Sequence, residues 1–357
     1  MSIIKHPSQY ITAALATAMR SVAAEAEQLQ QLHPLQLSII YEQKWFKLFV
    51  PKQYDGLQYG LTEALQLEEA LAWVDGSVGW AVTLCAGAGW FAGFINPEIA
   101  ALVFNEKNVC LAGSGKASGI AKKIATGYEI TGSWNYATGA NIATAFTANC
   151  LIEDNGSILK NSDGGSVVIP FLFLKSEVRK NKTWKSIGMI ATNSNSFEIS
   201  QLIVKTNRAF EIDKDAAVLN HAQYQYPFLQ FAETTLAVNS SGMAMRFLDL
   251  CKVLFEQHAT THQKLILNNA ETAFENARQL FFDTVETSYQ KCIEGLDILP
   301  EELQQVSNIS KQLAITARKL VDELYPYCGI QAANPDTEIN RVWRNLHTAS
   351  QHSLFNR

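Results

Sequence analysis

The C-terminal segment RVWRNLHTASQHSLFNR, Arg341 to Arg357, gathers polar side chains at a spacing that could do chemistry. At ~3.6 residues per turn Arg341, Asn345, Thr348 and His352 fall on one helical stripe, with Val342, Trp343, Leu346 and Ala349 mainly opposite. Imidazole changes charge close to neutral pH, which suits His352 to proton transfer. The competing reading is a solvated cationic face whose histidine bonds the last carbonyls of a helix, worth a few tenths to ~1 kcal/mol. In GSWNYATGA, strand alternation places Trp134, Tyr136 and Thr138 on one side with Gly139 closing the run. These are either an aromatic wall beside a hydroxyl or an ordinary strand filling a core. His258 and His262 stand at i, i+4, a spacing able to bind a metal ion. Ala259 stands where an HExxH motif needs glutamate and no third ligand is evident, so no metal is assigned.

Three kinds of texture must position these residues. The first 108 residues are helical: LTEALQLEEALAWVDG puts Leu61, Leu65, Leu67, Leu71 and Trp73 close to one face, after the turn-rich VPKQYDG. Val78 to Ile95 carries no charge and reaches membrane-helix length, but its glycines, the lack of a flanking basic cluster and the following Asn-Pro-Glu favour a helix buried all round. Residues 109–213 give short β-rich runs, YEITGSW, TAFTANCLIE, SVVIPFLFL and FEISQLIVK, with no helix-length segment between them, which predicts an antiparallel unit. Residues 214–357 are helical again in four segments: Pro227 to about Ala259, Thr261 to Glu294, Pro300 to Leu324, and Pro335 to the end with Asn334 as its cap. Four long helices with short connections predict an antiparallel bundle.

Composition narrows the partners. A charged fraction of 18% and a net charge of −5 give no bias toward nucleic acid or an anionic membrane, leaving small molecules or other protein chains. The six cysteines lie far apart with no CxxC pair, as expected of buried thiols in a reducing, cytoplasmic setting. The N-terminal ITAALATAMRSVAAEAEQL has helical spacing and no basic leader, which favours a helix over a signal peptide.

Four strings in order resemble the acyl-CoA dehydrogenase superfamily over nearly the whole chain. LFVPKQYDGLQYGLTEALQLEEALAWVDGSVGW resembles its N-terminal helical stretch, with Asp55 in place of a usual glycine. GYEITGSWNYATGANIA and TWKSIGMIATNSNSFEISQLIV resemble its two β-domain signatures, and RVWRNLHTASQH its final helix, with Asn345 where aspartate is usual. The resemblance implies an α+β, mainly α fold: an N-terminal helical domain, a middle β domain and a C-terminal four-helix bundle. It also implies a flavin between β domain and bundle, a small-molecule substrate, and a homotetramer or homodimer.

An isoalloxazine ring needs an aromatic wall and fixed polar groups at its edge. By the resemblance, Tyr136 packs against the flavin, Thr138 offers a hydroxyl and an amide, Gly139 beside it belongs to the same cofactor-binding run, and Trp184, Thr192 and Ser194 approach the flavin from the second signature. Arg344 belongs to the flavin-side helix. AGSGKASGIA, with Ser114, takes the place of the loop covering the flavin, without the Thr-Glu-Pro string of the dehydrogenases and closer to the shorter loop of the hydroxylase branch. LFEQHATTHQKL lacks the Arg-x-x-Phe-Gly string of FAD-binding members, which leaves FAD and FMN both open.

The base decides the reaction. Counting from Arg344, the glutamate of most acyl-CoA dehydrogenases falls at Ser353; the alternative position, on the first bundle helix, falls at Ala232, with Glu233 rotated ~100° away. His352 instead matches the hydroxylase branch, where a histidine follows the second arginine by eight residues and assists oxygenation of aromatic substrates by reduced flavin and oxygen. The sequence thus favours a reduced-flavin, oxygen-using monooxygenase. An acyl-CoA dehydrogenase with a displaced base such as Glu233 is the alternative, and a non-catalytic structural homologue the third reading. Trp80, Phe91 and Phe94 either line a pocket or fill the core.

Overall fold

The computed structural model describes residues 3–256 and 259–355. Six helices come first: α1 Ala13–Ser21, α2 Ala23–Leu29, α3 Pro34–Glu42, α4 Leu61–Val74, α5 Gly76–Gly89 and α6 Pro97–Phe104. Seven strands follow: β1 Leu111–Ile124, β2 Gly127–Ala137, β3 Ala145–Asp154, β4 Ser157–Ile158, β5 Val168–Leu174, β6 Arg179–Asn181 and β7 Asn195–Val204. Four further helices close the chain: α7 Phe228–Phe255, α8 Thr261–Ile293, α9 Pro300–Leu324 and α10 Glu338–Ala349. The expected fold class holds, and no helix among the described residues is long and apolar enough to cross a membrane.

The uncharged run beginning at Val78 is a helix buried nearly all round, continued by a 3-10 turn at Trp90–Gly93 and ended where Asn96 caps α6. Its neighbour α4 departs from the expected single apolar face: Ala64, Glu68, Glu69, Ala70 and Ala72 are as buried as its leucines. The reason is that α4 has partners on several sides. A Cβ on Gly79 of α5 would lie 2.4 Å from the Ala72 Cα, and one on Gly242 of α7 would lie 2.2 Å from the Glu69 carbonyl, so α4, α5 and α7 approach backbone to backbone.

The two buried glutamates of α4 are treated differently. Glu69 is paired with Arg278 of α8 by two hydrogen bonds of 2.7 and 2.6 Å and accepts another from the Ser241 hydroxyl at 2.5 Å. Glu68 is fully buried with no protein partner for either oxygen. Burial drives its pKa far up; Thr83 lies near enough to pull it back slightly, without an ordinary hydrogen bond. A carboxyl kept protonated in the fold but released in the unfolded chain lowers stability as pH rises above the unfolded value of ~4.3, by up to ~1.4 kcal/mol per unit until the folded pKa is reached. Glu68→Gln should therefore gain stability relative to the parent as pH rises from 5 to 8, measured as urea midpoints; a constant difference would show that Glu68 ionises in the fold.

The sheet order is β4-β3-β1-β2-β7-β6, with β5 also paired to β3, on the edge away from β1. It is not wholly antiparallel as expected: β1 and β3 run parallel, and β2 joins them through β1. Trp134 is wholly buried here, stacked on Phe197 at 5.2 Å, with its indole nitrogen donating to the Asn149 carbonyl. Gly119 and Gly132 make room for it, since a Cβ on either would strike the indole at 2.1–2.6 Å.

Candidate functional site

The expected shared face of Trp134, Tyr136 and Thr138 does not form. Between Trp134 and Ala137 strand β2 advances three residues while its partner β7 advances two, from Phe197 to Asn195. This bulge resets the alternation. Trp134 faces the core, whereas Tyr136 is turned outward and is 59% exposed. Tyr136 meets Trp184 edge-on, with ring centroids 5.4 Å apart, so the two aromatics of different signatures do form one wall.

Behind that wall lies a chain of hydroxyls. Thr138 Oγ1 is 2.9 Å from Ser194 Oγ, which is 2.8 Å from Thr192 Oγ1, and Thr192 donates to the Met189 carbonyl at 2.8 Å. The Trp184 indole donates to the same carbonyl at 2.9 Å. Gly139, at φ 74, closes the turn after β2, and its N–H is spent on the Thr192 carbonyl rather than offered outward. The stretch holding Ser114 is not a covering loop: it lies inside β1 at a break in register between Ser114 and Gly119, with residues 115, 116 and 118 exposed. The Ser114 hydroxyl donates to the Asn135 carbonyl at 2.6 Å, which ties β1 to the residue before Tyr136.

The last helix starts later and ends earlier than its sequence suggests. Thr337, not Asn334, is its N-cap, and Ala349 is its last residue, so His352 sits in a turn beyond it. The polar stripe is not a solvated face. Arg341 and Asn345 are buried, Arg341 lying 3.8 Å from Asp75, whose pKa burial raises and Arg341 pulls down. Arg344 is equally committed: it donates to Glu27 at 3.1 and 2.8 Å, to the Ile187 carbonyl at 2.6 Å and to Asn340 at 2.7 Å. A half-buried guanidinium must be paired, and these partners leave it a tie between α10, α2 and the 184–192 segment instead of a ligand clamp.

Asn345 completes that tie. Its side-chain oxygen accepts the Met189 N–H at 2.6 Å, so α10 holds the residue on which Trp184 and the hydroxyl chain converge. Gly188 packs on α10 closely enough that a Cβ would stand 2.1 Å from the Arg344 carbonyl. Asn345→Leu should strand a buried amide at a cost of ~1–3 kcal/mol and loosen the Trp184 wall, whereas Asn345→Asp keeps the acceptor. Near-ultraviolet circular dichroism should change in the first variant and not in the second; equal spectra would remove Asn345 from the positioning network.

His352 packs edge-on against Trp80 of α5, 5.8 Å between centroids, and its Nδ1 accepts the Leu354 N–H at 3.4 Å. The neutral ring therefore carries its hydrogen on Nε2. Helix α5 also reaches the hydroxyl chain, since the Cys85 thiol lies 3.6 Å from the Thr138 carbonyl. Glu233 points elsewhere: it is 3% exposed inside the bundle, 3.8 Å from Lys311 of α9. His258 lies outside the described residues, so its pairing with His262 is not described. Beside Trp184 a cleft of about 200 Å³ is lined by Gln30, Lys182, Lys185, Ile190 and Asn193. Neither lysine stood out in the sequence, because single lysines between strands carry no pattern.

Residues 227–357 match the family model described as acyl-CoA dehydrogenase, C-terminal domain. The chain is 22% identical to indole-3-acetate monooxygenase of Pseudomonas putida, covering 87% of this chain and 80% of the relative. It is 24% identical to the flavin-dependent monooxygenase oxygenase subunit HsaA of Mycobacterium tuberculosis, covering 99% and 93%. Among solved structures, 3-HSA hydroxylase from Rhodococcus sp. RHA1 superposes with a TM-score of 0.90 at 20% identity, over 99% of this chain and 93% of that one. With residues 227–357 matched by that family model and nearly the whole length superposing on 3-HSA hydroxylase, the chain has the acyl-CoA dehydrogenase-like fold, and flavin-dependent monooxygenases are among the proteins it is similar to.

Proposed function

We propose that the protein is a flavin-dependent monooxygenase that inserts one oxygen atom into a small organic substrate. Reduced flavin, when bound, supplies the two electrons: substrate C–H, dioxygen and reduced flavin yield C–OH, water and oxidised flavin. The observation that carries the reading is the distribution of proton-transfer groups. His352 stands against Trp80 with Ser353 beside it, while carboxylates in the surrounding elements are tied to cations: Glu233 to Lys311, Glu27 to Arg344 and Asp75 to Arg341. An imidazole beside carboxylates that are paired with cations suits proton exchange with a phenol or heteroaromatic ring, and does not suit abstraction of an α proton from a thioester.

The residues present fit a planar ring. Tyr136 and Trp184 supply an open aromatic wall, Thr138, Ser194 and Thr192 the polar groups behind it, and Lys182 and Lys185 the cationic rim that Arg344 does not provide. In this reading Tyr136, Trp184 and Thr138 hold and orient the ring, Asn345 and Arg344 position that wall, and His352 exchanges a proton with the substrate. The assembly is a homotetramer or homodimer. Purified protein mixed with reduced FMN or FAD in air should consume oxygen and hydroxylate a phenol or indole, detected by product mass increased by one oxygen. Bleaching of bound oxidised flavin by acyl-CoA without oxygen would overturn the reading in favour of dehydrogenation. Failure of either flavin to bind at tens of micromolar would favour a structural homologue.

A further inference from the structure

Buried polar groups normally find partners, so those that do not are informative. Six buried side-chain atoms among the described residues have none, and all belong to α4, α5 and α7: both oxygens of Glu68, and one atom each of Ser77, Glu233, Asn239 and Ser240. Asn239 shows the asymmetry well. Its nitrogen donates to Thr83 Oγ1 at 2.7 Å and to the Thr235 carbonyl at 3.1 Å, while its oxygen accepts nothing from the protein. Thr83 bonds Asn239 and lies near the Glu68 carboxyl, so three helices bring an amide oxygen, a hydroxyl and a carboxyl together with hydrogen-bonding capacity unused.

This group lies along one line with the site. On α5, positions 80, 83 and 87 share a stripe. Trp80 touches His352, Thr83 touches Asn239, and beyond them a Cβ on Gly87 would meet only Phe231, at 3.9 Å, so the α5–α7 seam admits one more carbon there without a clash. Trp80 and Thr83 are three residues apart, ~4.5 Å along the axis, less than the length of one substituted aromatic ring.

We propose that Glu68, Thr83 and Asn239 form a polar subsite at the inner end of the α5–α7 seam. It receives a neutral hydrogen-bonding substituent of an aromatic substrate whose other end meets His352. The proposal rests on the monooxygenase reading above. The Asn239 oxygen needs a donor, which a hydroxyl or amide supplies and an alkyl group does not. A carboxylate is disfavoured because Glu68, Thr83 and Asn239 bring it no cation. Ser240, next to Asn239 in α7, is a further hydroxyl with capacity to spare.

The test compares three phenols of similar size: 4-hydroxybenzyl alcohol, 4-ethylphenol and 4-hydroxybenzoate. Their affinities are measured by calorimetry on the full-length protein with reduced flavin present under anaerobic conditions. The alcohol should bind about 10-fold or more tighter than both others, the loss expected when a buried polar site is left unpaired. Glu68→Leu should abolish that preference while leaving 4-ethylphenol binding within about twofold, and Glu68→Gln, which keeps a donor and an acceptor, should retain it. Should Glu68→Leu fail to fold, Thr83→Val serves the same comparison. Equal binding of alcohol and ethyl compound by the parent, the result if the cluster holds water only, would overturn the subsite, as would a preference that survives Glu68→Leu. Those outcomes leave oxygen consumption with other substrates intact, whereas absence of flavin binding would fell the monooxygenase reading itself.

Discussion

His352→Ala should lower hydroxylation turnover by about 10²–10⁴-fold, the range expected for loss of a positioned proton-transfer group. The variant should keep its fold. His352 lies past the end of α10, and its contacts include the edge of Trp80 and one long hydrogen bond from Leu354. Thermal unfolding should move little, while steady-state turnover with saturating reduced flavin collapses. His352→Gln, which keeps a hydrogen-bonding group without a proton exchangeable near neutrality, should be nearly as inactive. Turnover unchanged in either variant would remove His352 from the reaction.

The second large effect concerns stability. Arg278→Ala should destabilise the protein by ~3–5 kcal/mol, because it leaves the Glu69 carboxylate buried without its cation. Both side chains are almost inaccessible, at 3% and 0%, and Arg278 also donates to the Lys5 carbonyl at 2.7 Å. Burial weakens the charged form of Arg278, but Glu69 outweighs it and the guanidinium's pKa is raised. Replacing both partners, Glu69→Leu with Arg278→Met, should recover much of the loss, since no charge is then stranded. Urea denaturation of the single and double variants checks this; a single variant within about 1 kcal/mol of the parent would show that water solvates Glu69.

Much of this was legible in the sequence, for identifiable reasons. Pro300–Leu324 is a helix over the span its pattern predicts, and Thr261–Ile293 ends one residue short of it, because proline, capping residues and long amphipathic runs are local signals. The last helix differs from its sequence pattern at both ends. Asn334 accepts the Asp336 N–H in a turn, and Thr337, three residues on, does the capping, so two good caps in succession hid the true start. The β unit was found, but the parallel run of β1 beside β3 was not, since a strand's own alternation says nothing of its neighbour's direction. At the site the residue types were legible and their orientations were not. One extra residue in β2 turned Tyr136 outward, and Arg344 and the Gly139 amide went to protein partners that lie far away in sequence. Glu68 left no trace, because a glutamate in a leucine-rich helix reads as its solvent face until α5 and α7 are seen to cover it.

The hydroxyl chain has a polarity. Thr192 spends its hydrogen on the Met189 carbonyl, so toward Ser194 its oxygen can only accept; Ser194, its hydrogen spent on Thr192, can only accept from Thr138. All three hydroxyl hydrogens thus run toward the Met189 carbonyl, and a lone pair remains at Thr138. Whatever reaches that oxygen must bring the hydrogen. A ring nitrogen in its hydrogenated, two-electron-reduced form meets that condition, and the same nitrogen after oxidation sets lone pair against lone pair. In the reading proposed above, the Met189 carbonyl, on a residue held by Asn345 from the last helix, would thereby favour the reduced state of a ring placed at this wall.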